Sequence, residues 1–240
     1  MHPLRDKTIL VTAASSRTGA AICRWLLGQG AEVVLVYRQN LAGAQAIRQE
    51  FPQSQSWALQ ADVTDEASVT ALAAQVRALR PRLWGLINVV GDWHQAPILE
   101  TPYADFRSVI QSNLDSVFLL SKACHPLLRG GGRIINFGWA LGDRVIAAEA
   151  FAYQIAKLGV LSLSRSLAKQ WGPEQISVNC ISPGHLENSI VKESETAKEV
   201  IPQGRFGTYE DLFPLLELLL SEGSTYLTGS NFILSGGYNL

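Results

Sequence analysis

The sequence has no long run of like charge, no apolar run near the ~18 residues of a membrane-spanning helix, and only three cysteines in 240 residues. Lysine and arginine (20) nearly balance aspartate and glutamate (21), so the chain lacks the basic surface expected of a nucleic-acid-binding protein. The N-terminal residues lack the apolar stretch of a signal peptide, which predicts a cytoplasmic protein with no membrane partner. The expected partner is a small-molecule substrate.

The three cysteines, Cys23, Cys124 and Cys180, are far apart and stand in apolar segments without metal-ligand spacing. We expect buried small side chains there and predict no metal site. Hydrophobic residues (47%) and charged residues (17%) give the composition of a folded protein. The length fits one large α/β domain over residues 1–240.

Short apolar, β-branched runs alternate with longer helical patterns along the chain, which is typical of βαβ units and a parallel sheet. Strands covered on both faces are apolar throughout. The predicted strands are Thr8–Thr12, Glu32–Tyr37, Trp57–Ala61, Leu83–Val90, Arg133–Phe137, Ser177–Ser182 and Asn231–Leu234. The predicted helices are Gly19–Leu27, Ala42–Glu50, Glu66–Leu79, Tyr103–Leu128 (one bent helix or two), Ala152–Trp171 and Tyr209–Ser221. The predicted fold class is α/β, a single-domain doubly wound parallel sheet with helices on both faces.

The segment from His185 to Gly207 differs from the rest, because it is polar and weakly periodic after Pro183-Gly184. Irregular polar segments beside ligand sites often act as lids, so residues 185–207 could form a substrate loop. A plain surface excursion explains the pattern equally well.

The first strand leads directly into Thr12–Gly19, a run rich in small residues that opens a helix. Doubly wound folds hold the phosphates of a cofactor at this place, because backbone N–H groups at the helix N-terminus attract an anion. Taken alone, an ordinary strand-to-helix turn fits the run equally well.

The second strand ends at Arg38, where NAD-binding proteins of this fold place an acid that binds the ribose hydroxyls. A guanidinium suits a phosphate dianion instead, so the cofactor prediction is NADP(H). Ligands bind at the carboxyl ends of such strands, which adds four candidate cofactor contacts: Asp62, Val63, Asn88 and Gly91. Asp62 could bond the adenine amine.

Tyr153 and Lys157 stand four residues apart at the start of a helix, on one face and one turn apart. The helix continues apolar nearly all round, so we expect it to be buried. An ammonium favours phenolate, and moving a phenol pKa from ~10 to ~7 requires about 4 kcal/mol. A tyrosine and a lysine that only pack together can have the same spacing. The Thr12–Gly19 turn and the strand pattern favour a catalytic role for this pair.

A set of elements in family order over nearly the full length resembles the short-chain dehydrogenases/reductases. They are Thr12–Gly19, Asp62-Val63, Asn88 with Gly91, Asn113 in Gln111–Leu114, Tyr153 with Lys157, Val178–Gly184, and Tyr226–Gly229 with Gly236-Gly237. The resemblance implies that Tyr153 donates a proton, that Lys157 binds the nicotinamide ribose and lowers the Tyr153 pKa, and that Asn113 holds a proton-relaying water. It implies cofactor contacts at Thr12, Ser15, Arg17, Thr18, Gly19, Tyr153, Lys157, Pro183 and Gly184. It also implies a homo-oligomer, a tetramer or a dimer, with the helices after the fourth and fifth strands as interfaces.

The chain departs from that family in two places. Ala13 and Arg17 stand where the family usually has glycine, and Trp139 stands where the catalytic serine should follow the fifth strand. Polarising a simple carbonyl normally uses that hydroxyl, so a plain alcohol/ketone couple is put in doubt.

Pteridine reductases and dihydromonapterin reductases resemble the chain further, since they carry arginine at the Arg17 position and lack the serine, usually having aspartate. Trp93 matches an aromatic residue that sandwiches the pterin against nicotinamide, a contact that suits indole. The implied substrate contacts are Arg17, Trp93, Trp139 and Tyr153.

The predicted function is therefore NADPH-dependent reduction of a C=N or activated C=C bond in a pterin-like ring. Two alternatives stay open. One is a carbonyl reductase for substrates such as 3-oxoacyl thioesters, which would work through Tyr153 and a water. The other is a catalytically silent NADP(H)-binding regulator, against which the intact Tyr153, Lys157 and Asn113 argue.

Overall fold

The computed structural model describes residues 4–142, 144, 148–187 and 198–240. Within these ranges seven strands form one sheet in the order β3-β2-β1-β4-β5-β6-β7, and every neighbouring pair is parallel. The strands are β1 Thr8–Val11, β2 Glu32–Tyr37, β3 Ser56–Gln60, β4 Gly85–Asn88, β5 Arg133–Phe137, β6 Ser177–Pro183 and β7 Asn231–Leu234. The predicted doubly wound sheet is confirmed.

Helices cover both faces of this sheet. They are α1 Arg17–Gly28, α2 Leu41–Glu50, α3 Glu66–Leu79, α4 Tyr103–Ile110, α5 Ser116–Leu128, α6 Phe151–Trp171 and α7 Tyr209–Leu220. Successive strand residues point to opposite faces, so Ile9 and Val11 pack with α1 and α7, whereas Leu10 packs with α3 and α5. The two buried clusters on either side of the sheet are the core.

The long predicted helix from Tyr103 to Leu128 is continuous but changes its winding in the middle. A π-helical segment, Gln111–Asp115, joins α4 to α5. Such segments are rare in proteins, but those that occur often lie at functional sites. This one carries the buried Asn113.

The structure corrects two expectations from the sequence, one about the burial of a helix and one about the length of a strand. Helix α6 is not buried all round, because only one flank packs on the sheet and Ile155 (50%) and Leu158 (39%) are exposed. The fourth strand, predicted as Leu83–Val90, is shorter than that, and Asn88 is its last residue.

The expectation for the cysteines is confirmed, since all three are free and buried. In the described part of the chain, no helix has the length and apolar character that crossing a membrane requires.

Candidate active site

The site lies where the strand order reverses, between the carboxyl ends of β1 and β4. Thr12 ties these ends together: its backbone N–H donates to the Ile87 carbonyl (3.1 Å), and its hydroxyl accepts the N–H of Val89 (2.9 Å). A crevice at such a switch point is the usual ligand site of doubly wound sheets.

The turn after β1 takes the shape of a phosphate cradle without the expected glycines. Ala13 (φ +50°) and Arg17 (φ +32°) adopt left-handed backbone conformations, each costing about 1–2 kcal/mol for an L-residue. Ser16 holds the turn, since its N–H and its hydroxyl both lie 3.0 Å from the Ala13 carbonyl oxygen. At Gly19 a Cβ would lie 2.2 Å from the same oxygen, so this glycine is required.

The N-terminus of α1 fits an anionic group. Its N-cap residue, Ser16, makes no side-chain cap, and its first turn contains no acid. The first N–H groups of a helix have no partner inside the helix, so they can bind a phosphate. Ser15 is held nearby, because its carbonyl accepts a bond from the Asn40 side chain (3.1 Å).

The end of β2 presents Arg38 to solvent, as the cofactor prediction requires. Gln60 donates to the Arg38 carbonyl (2.9 Å) and fixes the backbone there. Nearby Asp62 accepts the hydroxyl (2.7 Å) and the N–H (3.0 Å) of Thr64. These bonds, aided by the Arg38 charge, lower the pKa of Asp62, so it is a carboxylate at neutral pH. Val63 points instead into the core.

Tyr153 and Lys157 share the site-facing side of α6. The Lys157 ammonium lies 5.4 Å from the Tyr153 ring centroid and donates to the Phe137 carbonyl (3.0 Å). Burial lowers the pKa of Lys157 to about 8. Burial also raises the pKa of Tyr153, a direction opposite to the one the resemblance implies. In the chain alone, the cause of this shift is desolvation of the phenol.

Asn113 brings an unused acceptor to the same place. Its amide nitrogen donates to the carbonyls of Val109 (2.9 Å) and Asp92 (2.8 Å), but its buried Oδ1 has no partner among the described residues. An unsatisfied buried acceptor costs about 1–3 kcal/mol. A Cβ at Gly91 would lie 2.5 Å from this Oδ1 and 3.2 Å from Lys157 Nζ. Gly91 thus leaves the space in which a water could bridge the two polar groups.

Three rings line the site beside these polar groups; we call Trp93, Trp139 and Tyr153 the aromatic wall. The ring centroid of Tyr153 lies 4.8 Å from that of Trp93 and 5.5 Å from that of Trp139. The two tryptophans meet edge to face at 5.8 Å. All three are partly exposed, so the wall offers aromatic surface to a ligand.

The sequence analysis missed a buried polar ladder behind the site. The amide of Asn88 donates to Asn136 Oδ1 (2.8 Å), and the amide of Asn136 donates to the Ser164 hydroxyl (2.9 Å). The ladder ties β4 and β5 to α6. An asparagine inside the apolar run of β5 was the available signal. The amide nitrogen of Asn88, a predicted cofactor contact, thus donates to another side chain of the protein.

The sequence analysis also missed that the first residue of α7, Tyr209, contacts the turn after β1. The backbone N–H of Tyr209 donates to the Glu187 carboxylate (3.0 Å), and its phenol bonds the Thr18 side chain of the phosphate turn. Pro183 ends β6 on this side, and the N–H of the next residue, Gly184, donates to the Leu234 carbonyl (2.8 Å). Residues 188–197 of the predicted lid lie outside the described residues.

Comparisons with known proteins agree with this geometry. A family model described as "Enoyl-(Acyl carrier protein) reductase" matches residues 13–239. Galactitol 2-dehydrogenase (L-tagatose-forming) of Cereibacter sphaeroides is 32% identical, over 96% of this chain and 94% of that protein. The 3-oxoacyl-[acyl-carrier-protein] reductase FabG of Escherichia coli is 30% identical, over 96% of both chains.

A solved structure of a short chain dehydrogenase from Burkholderia cenocepacia in complex with NADP has the same fold. It superposes with a TM-score of 0.93 at 26% identity and covers 99% of this chain and 100% of that one.

Proposed function

Because the chain belongs to the short-chain dehydrogenase/reductase family of oxidoreductases, we propose that it reduces a small planar heterocycle, such as a dihydropterin, with NADPH. The observation that carries this proposal is the aromatic wall. It includes Trp139, the residue at which the family resemblance leads us to expect the catalytic serine. A flat conjugated ring gains offset or edge-to-face contacts with such a surface.

The cofactor-binding residues are those whose geometry fits a phosphorylated dinucleotide. The uncapped N-terminus of α1 and the turn from Thr12 to Gly19 would hold the pyrophosphate, and exposed Arg38 would bind the 2′-phosphate. Asp62 as a carboxylate would accept the adenine amine. Bound NADPH supplies the hydride.

The chain's own polar groups handle the proton. Tyr153 keeps its proton at neutral pH because burial raises its pKa, and it donates that proton to the substrate atom next to the reduced carbon. Lys157 is mostly protonated at pH 7 and would bind the ribose hydroxyls. A water on Asn113 Oδ1 would return a proton toward Tyr153.

A second candidate function is reduction of a carbonyl, as in 3-oxoacyl thioesters. The similarity to the FabG protein favours it, as does the similarity to a polyol dehydrogenase. In this case Tyr153 alone would polarise the carbonyl oxygen, with help from a water, since Trp139 carries no hydroxyl.

Steady-state NADPH oxidation separates the two candidates. The purified protein is assayed at 340 nm against dihydropterins, dihydrofolate and a 3-oxoacyl thioester. We expect kcat/KM to be largest for a dihydropterin. Turnover of the thioester alone would establish the second candidate, and turnover of neither class would contradict both.

A fluorescence titration tests the cofactor prediction separately. NADPH should bind more tightly than NADH, and Arg38→Ala should weaken NADPH binding about 10- to 100-fold while NADH binding changes little. Tighter binding of NADH by the unsubstituted protein would contradict the assignment to Arg38.

Assembly, lid and location are further parts of the proposal. Apolar side chains exposed near α4 and along α6, among them Leu99 (98%), Tyr103 (76%) and Ile155 (50%), would be covered in a homotetramer or dimer. Residues 185–207 stay the proposed substrate loop, of which residues 188–197 lie outside the described residues. Three free, buried cysteines suit a reducing cytoplasm.

A further inference from the structure

The substrate side of the site has no place for a hydroxyl at the end of β5. A Cβ at Gly138 would lie 2.5 Å from Ser182 Oγ and 2.9 Å from Cys180 Sγ, so serine does not fit there. The Ser182 hydroxyl is itself used, because it donates to Asn231 Oδ1 (2.6 Å). The next residue is Trp139, whose side chain carries only an N–H.

Two polar groups beside the aromatic wall make hydrogen bonds within the fold. Lys157 Nζ donates to the Phe137 carbonyl, and the Asn113 amide donates to two carbonyls, which leaves Asn113 only an acceptor. The indole N–H groups of Trp139 and Trp93 donate to no described residue, and neither nitrogen is fully buried. Both are therefore available to a ligand, and Trp139 is the one that stands at the end of β5.

The backbone on both sides of Trp139 is fixed. Gly138 N–H donates to the Ile181 carbonyl (2.8 Å), and Ala140 N–H donates to the Pro183 carbonyl (3.1 Å). These two bonds hold the chain against the end of β6. The indole then packs edge to face with Tyr153 at 5.5 Å, beside the phenol that donates the proton.

We propose that the Trp139 indole N–H is a second hydrogen-bond donor to the substrate, acting beside Tyr153 in place of the missing hydroxyl. This inference rests on the proposed function. The substrate carbon gains the hydride from NADPH, the C=N electron pair moves onto nitrogen, and that nitrogen takes the Tyr153 proton. Trp139 keeps its proton throughout and bonds an oxygen or nitrogen at the edge of the ring.

This arrangement also selects the substrate. An indole is far wider than a hydroxyl, so its N–H is presented at the edge of a flat apolar surface. A planar ring with an acceptor at its edge can use the surface and the donor together. A flexible acyl chain gains less from the surface.

The test compares Trp139→Phe, which keeps an aromatic ring but loses the N–H, with Trp93→Phe, which makes the same change at the other indole of the aromatic wall. Trp139→Phe should lower kcat/KM for the heterocycle about 10- to 100-fold, because removing one positioned donor has an effect of this size or larger. Trp93→Phe should lower it less. Binding of a non-reducible oxidised pterin, measured by calorimetry, should weaken in the same order, whereas NADPH affinity should stay unchanged in both variants.

Three results would overturn the inference. They are a Trp139→Phe variant with parental kcat/KM, an equal loss in both variants, and a loss explained by weaker NADPH binding. If the parent reduces only a 3-oxoacyl thioester, the proposed function fails, and the same pair of variants on that substrate decides the role of the N–H. A parent that binds neither class contradicts both proposals.

Discussion

The phosphate turn and the aromatic wall both depart from the pattern of their family, but with different consequences. In the turn, Ala13 and Arg17 replace glycines, yet the chain still follows the left-handed path. At the wall, Trp139 replaces a hydroxyl, and no neighbouring side chain among the described residues supplies another at that position.

The difference follows from which atoms do the binding. A phosphate cradle works through backbone N–H groups, so a substitution that keeps the backbone path adds strain but keeps the donors. A reaction site works through side-chain atoms, so a substitution there changes the chemistry. Departures in the first region should therefore affect stability, and departures in the second should affect activity.

The largest expected effect is at the wall, for Tyr153→Phe. Loss of the phenol hydroxyl removes the proposed proton donor but keeps the ring that contacts Trp93 and Trp139. We expect kcat to fall about 100-fold or more with unchanged NADPH affinity, measured by NADPH oxidation and fluorescence titration. Parental turnover would remove Tyr153 from the mechanism.

Gly91→Ala should come next. The added Cβ would lie 2.5 Å from Asn113 Oδ1 and 3.2 Å from Lys157 Nζ, so it displaces two polar groups to which we assign roles in the proposed reaction. We expect kcat to fall about tenfold or more. The control is Gly172→Ala, where the Cβ meets no atom within 4 Å and φ is −54°. Equal effects of the two substitutions would show that the contact does not matter.

The buried ammonium predicts a pH effect on stability. The pKa of Lys157 falls from 10.5 to about 8 on burial, so between these values the unfolded chain binds more protons than the folded one. The contribution of Lys157 to stability should therefore rise as pH rises from about 8 to about 10.5. In thermal melting, the Tm of the parent should rise relative to the Tm of Lys157→Met between pH 7 and pH 9.5.

The control for this comparison is Lys122→Met, at an exposed lysine paired with Glu66. Its melting difference from the parent should not show this gain. If the Lys157→Met difference is equally flat, burial does not lower the pKa of Lys157 as described.

The smallest expected effect is in the turn. Ala13→Gly relieves a positive φ and should stabilise the fold by about 1 kcal/mol, or about 2–4 °C in Tm. Ala14→Gly is the control; Ala14 has no positive φ, and the change should destabilise by roughly 0.5–1 kcal/mol. A large loss of NADPH binding in Ala13→Gly would contradict the view that this turn binds through its backbone.

The sequence predicted the sheet well because parallel strands covered on both faces contain continuous apolar runs, such as Val33–Val36 in β2. It located Tyr153 and Lys157 because their spacing is set by helix geometry. It did not show the π-helical segment that holds Asn113, since π winding has no clear residue pattern. It also missed the bond between Tyr209 and Thr18, because these residues are distant in sequence and meet only through the packing of α7 on α1.

The most direct test of the account is a crystal structure of the protein with NADP⁺ and an oxidised pterin. We expect the pterin ring to lie between Trp93 and the nicotinamide, with one ring heteroatom within hydrogen-bond distance of Tyr153 Oη and another near Trp139 Nε1. A pterin bound elsewhere, or a nicotinamide that does not reach Tyr153 and Lys157, would contradict it.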